Sequence, residues 1–268
     1  MLAAGAAALA AYAGAVEPSL LVLRRLTVPL AGWRGPALRV GILSDIHAAL
    51  PLMPPARIAR IARRLLAERP DLVLLPGDFV TTKTRLVRRV PVGPVAAALA
   101  SLPAAAPTLA VLGNHDHHAG AASVTAALEG VGIAVLRNTA RRVELPDGPL
   151  WVAGLDDMFT RRDDLEQTLA AVDRTAPVIM LSHVPDVFPR LPPWVPLTVA
   201  GHTHGGQVRV PDLAPIVTNS RLPRALAYGL HERDGRRLFV SGGVGTTGWP
   251  VRFCRPPEFA LVTLEAAP

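Results

Sequence analysis

Five short clusters of Asp, Asn and His are spread along this 268-residue chain: Ser44-Asp45-Ile46-His47, Gly77-Asp78, Gly113-Asn114-His115-Asp116, Ser182-His183 and Gly201-His202-Thr203-His204. Carboxylate, imidazole and amide oxygen are ligands that divalent transition metals accept, and one carboxylate can bridge two cations. The mixed nitrogen and oxygen set suits Mn, Fe, Zn or Ni rather than Ca, which takes oxygen alone. Cys254 is the only cysteine, so a CxxC zinc site and an intrachain disulfide are both excluded. Each cluster alone says little. Asp-x-His arises by chance, Gly77-Asp78 reads as a turn, Asn114 as a left-handed residue, and a lone His after a strand is more often hydrogen-bonded than a ligand. The recurrence of the pattern, five times with flanking Gly or Ser, is what carries chemistry.

The elements that must position these side chains are legible around them. Leu38 to Leu43, Asp71 to Leu75, Thr108 to Leu112, Val178 to Leu181 and Leu197 to Ala200 are short apolar runs, read as buried strands, and each ends at one cluster. Ligands of open α/β sheets bind beyond the carboxyl ends of strands, so the five loops can meet in one crevice. In extended backbone, residues two apart share a face, which brings Asp45 beside His47 and His202 beside His204. Residues 55 to 68 place Ile58, Ile61, Leu65 and Leu66 on one helical face; 94 to 101, 121 to 129 and 163 to 172 are further helices. Pro146-Asp147-Gly148 and Asp234-Gly235 mark hairpins, 133 to 136 is another strand, and 259 to 264 is the last. No repeat or interior linker divides the chain, so 34–268 reads as one α/β domain.

Half of the chain is hydrophobic and 18% is charged, a composition that folds. Lys83 is the only lysine, and the net charge of +7 comes from scattered single or paired arginines. Without a basic block or an aromatic stacking motif, a nucleic-acid partner is disfavoured, and an anionic substrate or a membrane surface suits the charge. Residues 1–33 form an apolar N-terminal segment: Ala-rich from Leu2 to Val16, interrupted by Glu17-Pro18, apolar again from Leu20 to Leu23, then Arg24-Arg25. A membrane anchor or uncleaved signal, a cleaved signal, and an amphipathic surface helix compete here. The anchor, and hence a membrane-associated, otherwise cytoplasmic protein, is the expectation.

In order and spacing, Asp45-x-His47, Gly77-Asp78, Gly113-Asn114-His115-Asp116, His183 and Gly201-His202-Thr203-His204 resemble the calcineurin-like metallophosphoesterases, over residues 38 to 264. The extended Gly201 to Gln207 run and the ending Val244-Gly-Thr-Thr-Gly-x-Pro250-Val-Arg252-Phe are similar to a bacterial branch of membrane-associated phosphodiesterases of the YaeI and YkuE type. That branch is related to hydrolases of UDP-2,3-diacylglucosamine. The resemblance implies a four-layer αββα sandwich of two mixed sheets and two divalent metal ions (Mn, Fe or Zn). It implies that Asp45, His47 and His204 hold the first ion, that Asp78 bridges, and that Asn114, His183 and His202 hold the second. His115 would be the general acid, with Asp116 orienting or polarising it. Two cations about 4 Å apart would activate a bridging hydroxide for in-line attack on phosphorus.

The leading expectation is a phosphodiesterase or pyrophosphatase acting on an anionic, lipid-linked phosphate ester. A soluble phosphomonoesterase or protein phosphatase and a non-catalytic metal-binding scaffold are the competing readings. Four further features stay open. His117 and His118 are substrate contacts or solvated loop residues. Gly242, Gly243, Gly245 and Gly248 would let backbone approach a phosphate, though no P-loop Lys follows. Arg252 is a phosphate clamp or a surface residue packed on Trp249. The Pro-rich stretch 188 to 196 is a lip facing substrate or membrane, or a rigid connection.

Overall fold

A computed structural model describes residues 2–82, 86–210, 213, 215 and 217–267. The strands in chain order are β1 (Val22–Leu30), β2 (Leu38–Ile42), β3 (Ala49–Leu50), β4 (Leu72–Leu75), β5 (Arg88–Arg89), β6 (Thr108–Ala110) and β7 (Ala134–Val135). They continue with β8 (Thr139–Val143), β9 (Leu150–Gly154), β10 (Val178–Leu181), β11 (Leu197–Ala200), β12 (Gly229–Arg233), β13 (Arg236–Val240) and β14 (Glu258–Ala266). One sheet has the order β1-β14-β2-β4-β6-β7, the other β12-β13-β11-β10-β9-β8, and β3 pairs with β5. Both large sheets are mixed: β2, β4, β6 and β7 run parallel, as do β13, β11, β10 and β9. β14 against β2, β12 against β13 and β8 against β9 are antiparallel.

Strand alternation builds the layers. Leu72 and Leu74 of β4 point into an apolar layer shared with Val152, Ile179, Leu181, Val199 and Phe239 of the second sheet. Val73 and Leu75 point the other way, onto Ile58, Ile61, Leu65, Val95, Leu99 and Leu128. These come from the helices Pro55–Leu66 and Val92–Leu99 and a long helix, Asn114–Glu129, preceded by the short Ser101–Ala105 helix. On the outer face of the second sheet, Val178, Met180, Leu238 and Val240 pack with Val187 and Phe188 of a 3₁₀ segment, Pro185–Arg190, and with Leu191 just after it. The molecule is therefore a mixed α/β protein of two large sheets with helical cover, as the resemblance implied.

The N-terminus departs from the anchor expectation. No helix among the described residues is long and apolar enough to cross a membrane. The first helix, Leu2–Ala11, spans 10 residues, and a π turn (Tyr12–Val16) and a 3₁₀ turn (Glu17–Ser19) end it. The second apolar run enters β1, which pairs in parallel with β14 from Val22↔Glu258 to Leu30↔Ala266. Glu17 is buried; its carboxylate accepts from the amides of Cys254 and Arg255, and the Ala13 carbonyl accepts from the Arg252 amide at 2.9 Å. An apolar run serves a buried strand as well as a bilayer span, so periodicity alone does not separate them.

Candidate active site

All five clusters meet at one end of the two sheets, where Asp78, Asn114, His115, His202 and His204 line a cavity of about 610 Å³. Main-chain bonds knit the loops together: the Asp45 amide donates to the Gly77 carbonyl (3.0 Å), the His47 amide to Asp78 O (2.9 Å), and the Gly201 amide to His183 O (3.0 Å). The backbone that aims the ligands is not the extended form anticipated. Asp45, His47, Asp78, His202 and His204 all lie in the left-handed region, with φ of 52°, 43°, 56°, 70° and 52°. Such residues cost on the order of 1–3 kcal/mol each, and such strain concentrates at functional sites. Two flanking glycines have steric reasons. A Cβ on Gly113 would collide with Asp78 Oδ1, and one on Gly201 with Ser44 Oγ and Asp45 Oδ2.

Asp78 is the hinge of the arrangement. The His115 amide donates to its Oδ1 at 2.8 Å, which leaves Oδ2 at 3.3 Å from both His47 Nε2 and His183 Nε2. On one side, His47 Nε2 and His204 Nε2 are 3.0 Å apart, with Asp45 Oδ1 at 3.9 and 3.6 Å from them. On the other, His183 Nε2 lies 3.1 Å from His202 Nδ1 and 3.3 Å from Asn114 Oδ1. Asp45, His47 and His204 form one group whose ligand atoms converge, Asp78, His183 and His202 another, and His47, Asp78 and His115 a third. Lone pairs aimed at one another over such distances, all buried, repel unless a proton or cation stands between them. The donor set therefore suits a dinuclear site for divalent ions, with Asp78 placed to be shared.

Outer contacts fix some ring tautomers. His183 Nδ1–H donates to the Pro76 carbonyl (2.8 Å) and His202 Nε2–H to Asn219 O (3.1 Å), which turns the other nitrogen of each ring inward. His47 Nδ1 is buried with no hydrogen-bond partner among the described residues. Charge states diverge accordingly. Burial disfavours the His183 cation, but Asp78 and then Asp45 and Asp157 outweigh it and raise it to about 10. Burial lowers His47 to about 3 and His202 to about 4, and His204 well below the imidazole range. Burial raises Asp45 to about 6, while Asp78 is held well below the carboxylate range by His183 and His47 against the effect of burial.

His115 and Asp116 stand beside this centre in different ways. His115 faces the cavity, its ring 4.7 Å from that of His47 and nearly perpendicular to it. The Thr82 amide donates to its Nδ1 at 2.9 Å, which places the ring proton on Nε2, 3.3 Å from Thr247 Oγ1. The Asp116 carboxylate is held by backbone amides. Its Oδ2 accepts from the Asp78 and Gly113 amides and its Oδ1 from those of Phe79 and Val80, at 2.8–3.2 Å. Four amides fill the carboxylate's four acceptor positions, so Asp116 anchors the turn that carries Asp78. Burial and the Asp78 charge raise it to about 7, opposed by the amides.

The open features resolve differently from a phosphate clamp. Arg252 is fully buried and donates to the carbonyls of Gly242 (2.9 Å), Gly243 (3.1 Å), Gly245 and Arg255 (3.0 Å). The glycine loop thus packs around Arg252, and the Gly245 amide donates to the Asp45 carbonyl at 2.8 Å. His117 is braced by Asp156 (2.6 Å), which also accepts from Arg137 Nε (2.9 Å). The Pro-rich stretch contributes the 3₁₀ cover of the second sheet. Asp156-Asp157, Phe159, Thr82, Thr247 and Asn219 were not singled out in the sequence. The acid pair had a signal, since it follows β9 directly as the other clusters follow their strands. Asp157 is fully buried and close enough to raise His183 and His202.

Comparison with known proteins agrees with the geometry. The family model for calcineurin-like phosphoesterases matches residues 38–206. The uncharacterized metallophosphoesterase YkuE of Bacillus subtilis (strain 168) is 32% identical over 203 residues, 74% of this chain and 69% of its own. An uncharacterized metallophosphoesterase of Aquifex aeolicus (strain VF5) is 32% identical over 87% of each chain. The phosphodiesterase YaeI of Escherichia coli (strain K12) is 30% identical over 81% of this chain and 79% of its own. Among solved structures, the 5'-nucleotidase precursor from Thermus thermophilus aligns with a TM-score of 0.48 at 15% identity, over 78% of this chain and about half, 49%, of its own. The two ligand groups sharing Asp78, together with a family match over more than half of the chain, leave one conclusion: the chain belongs to the calcineurin-like phosphoesterases and is a phosphoric ester hydrolase.

Proposed function

We propose that this chain hydrolyses phosphodiesters, with Asp45, His47, Asp78 and His204 holding one divalent ion and Asp78, Asn114, His183 and His202 the other. One observation carries the reading: a single oxygen of Asp78 is 3.3 Å from imidazole nitrogens on both sides. When bound, the ions supply a water of lowered pKa and neutralise the phosphate oxygens. The protein's own groups do the rest. Asp116 fixes the turn that holds Asp78, and the Pro76 and Asn219 carbonyls orient His183 and His202. His115 offers its Nε2–H from the cavity floor to the departing ester oxygen.

Diester rather than monoester chemistry is supported by the walls. Phe159, Val208, Val217, Trp249 and Val251 rise beside the ligands, and Phe159 and Trp249 are half exposed. They offer apolar surface to groups on either arm of a phosphate, where a monoester has only one arm. The same surface favours a lipid-linked or aromatic ester, and the E. coli relative bears the name phosphodiesterase. Hydrolysis of bis-(p-nitrophenyl) phosphate by the Mn²⁺-loaded protein should exceed that of p-nitrophenyl phosphate. The reverse preference would make this a monoesterase, and no hydrolysis of either would leave a metal-binding scaffold.

A further inference from the structure

Behind Phe159 the cleft opens into a second lobe of about 610 Å³. Phe159 and Asn219 line both lobes, and the Asn219 carbonyl is the acceptor of His202 Nε2–H, so the partition is tied to the metal-ligand group itself. Three arginines, Arg161, Arg190 and Arg221, and two acidic residues, Asp163 and Asp186, line the second lobe. Both carboxylates are already engaged within the wall. Asp163 pairs with Arg190 at 2.9 Å, and Asp186 accepts from Ser220 Oγ and from the Arg221 amide at 2.9 Å. Among the described residues, neither Arg161 nor Arg221 has a carboxylate partner for its guanidinium, so the lobe keeps an excess of positive charge.

The loop that presents Arg161 is held from below. The Thr160 amide donates to the buried Asp157 Oδ2 (2.7 Å), the Arg162 amide to Asp157 O (2.9 Å), and the Arg161 amide to Met158 O (3.1 Å). Guanidinium is weakly hydrated and matches the fork of a phosphate, so two such groups in one concave lobe form an anion receptor. We propose that the arginine lobe is a second anion subsite, which takes a phosphate carried on one arm of the scissile ester. The preferred substrate then bears two phosphates, one over the Asp78 centre and one beyond Phe159. The inference rests on the phosphodiesterase reading for its reaction, but not for its binding.

Two chromogenic esters with the same leaving group test it: thymidine 5'-(p-nitrophenyl phosphate), and its counterpart with an added 3'-phosphate. The metal-loaded protein should cut the second with a kcat/KM roughly ten-fold higher, mostly through KM, and the advantage should shrink as salt rises. The double variant Arg161→Gln, Arg221→Gln should lose that preference, keep its rate on the ester without the 3'-phosphate, and unfold at the wild-type temperature. Equal kcat/KM for the two esters in the wild type, or a preference that survives in the double variant, overturns the proposal. Calorimetric binding of thymidine 3',5'-bisphosphate against thymidine 5'-phosphate separates the two failures. A bisphosphate preference without hydrolysis defeats the diesterase reading alone, and no preference in binding defeats the subsite.

Discussion

In the proposed assignment, the Asp45, His47 and His204 half and the Asn114, His183 and His202 half share Asp78 but are built on different principles. The first has charge: two carboxylates face two imidazoles kept neutral by burial. Its outer contacts are poor, since among the described residues His47 Nδ1 has no hydrogen-bond partner and His204 Nδ1 lies 3.4 Å from the Arg252 guanidinium. The second half has only the shared carboxylate and a neutral amide, but carbonyls hold both of its rings in the ligating tautomer. Charge draws a cation in, while orientation lowers the cost of arranging ligands once it arrives. One dinuclear site thus contains two answers to the same problem.

The strongest way to break the comparison is to remove what the halves share. Asp78→Asn should cost both ions and lower the rate on the order of 10³-fold or more, because generation of the nucleophile is lost with them. Elemental analysis reads the outcome. Two ions retained per chain would mean that the halves do not depend on Asp78.

His115 belongs geometrically beside the first half, and its role can be separated from that of a ligand. His115→Ala should keep both ions and much of the rate on a nitrophenyl ester, while losing roughly 10²- to 10⁴-fold on an alkyl ester whose leaving oxygen needs the proton. An equal loss on both esters with the ions in place would assign His115 to phosphate orientation. Loss of an ion would make it a ligand of the first half.

Charge against orientation is tested by single ligands. Asp45→Asn should weaken one of the two binding steps by roughly 10²-fold or more, given that outer contacts alone are worth 10- to 100-fold. Asn114→Ala, which deletes a neutral oxygen, should weaken one step less. Titration with Mn²⁺ measures both, and equal losses would remove the distinction.

The smallest effect is also the most specific to the second half. In the metal-free protein His183, raised to about 10, carries a proton at neutral pH, whereas His47, His202 and His204 do not. Loading the second half must expel that proton, so its affinity should rise with pH up to about 10, by at most about ten-fold per unit for one proton. Loading of the first half should be nearly flat once Asp45 is ionised, above about 6. Calorimetry in buffers of different ionisation enthalpy should report about one proton released with the second ion. No buffer dependence would show that the His183 proton is already gone.

Much of the site was legible because its chemistry repeats where secondary structure ends. The runs Leu72–Leu75, Val178–Leu181 and Leu197–Ala200 are strands as read, and the clusters after them converge as the strand-end rule requires. The sequence pattern places a helix at 121–129, whereas the helix begins at Asn114, with a break at Gly120 (φ 117°), so the third cluster sits in a helical first turn rather than a loop. Residue type alone announced which groups could hold a cation. It said nothing of how the chain would bend to aim them, because left-handed φ at Asp45, His47, His202 and His204 is imposed by contacts between loops far apart in sequence.

The amino-acid sequence by itself determined the strand–loop–helix rhythm, the ligand-bearing clusters and the exclusion of a CxxC metal site and of an intrachain disulfide, since each depends on local pattern and composition. Tertiary structure alone decided that the second apolar run of the N-terminus enters a strand beside β14, and that the Asp116 carboxylate gathers the amides of the Asp78 turn. It also made Arg252 a buried support for the glycine loop, and grouped Arg161, Arg190 and Arg221 in one lobe from three separate segments. The physical reason is common to all four. A carboxylate, a guanidinium or an apolar run has many acceptable partners, and only the packed chain, which must satisfy every buried polar group at once, selects among them.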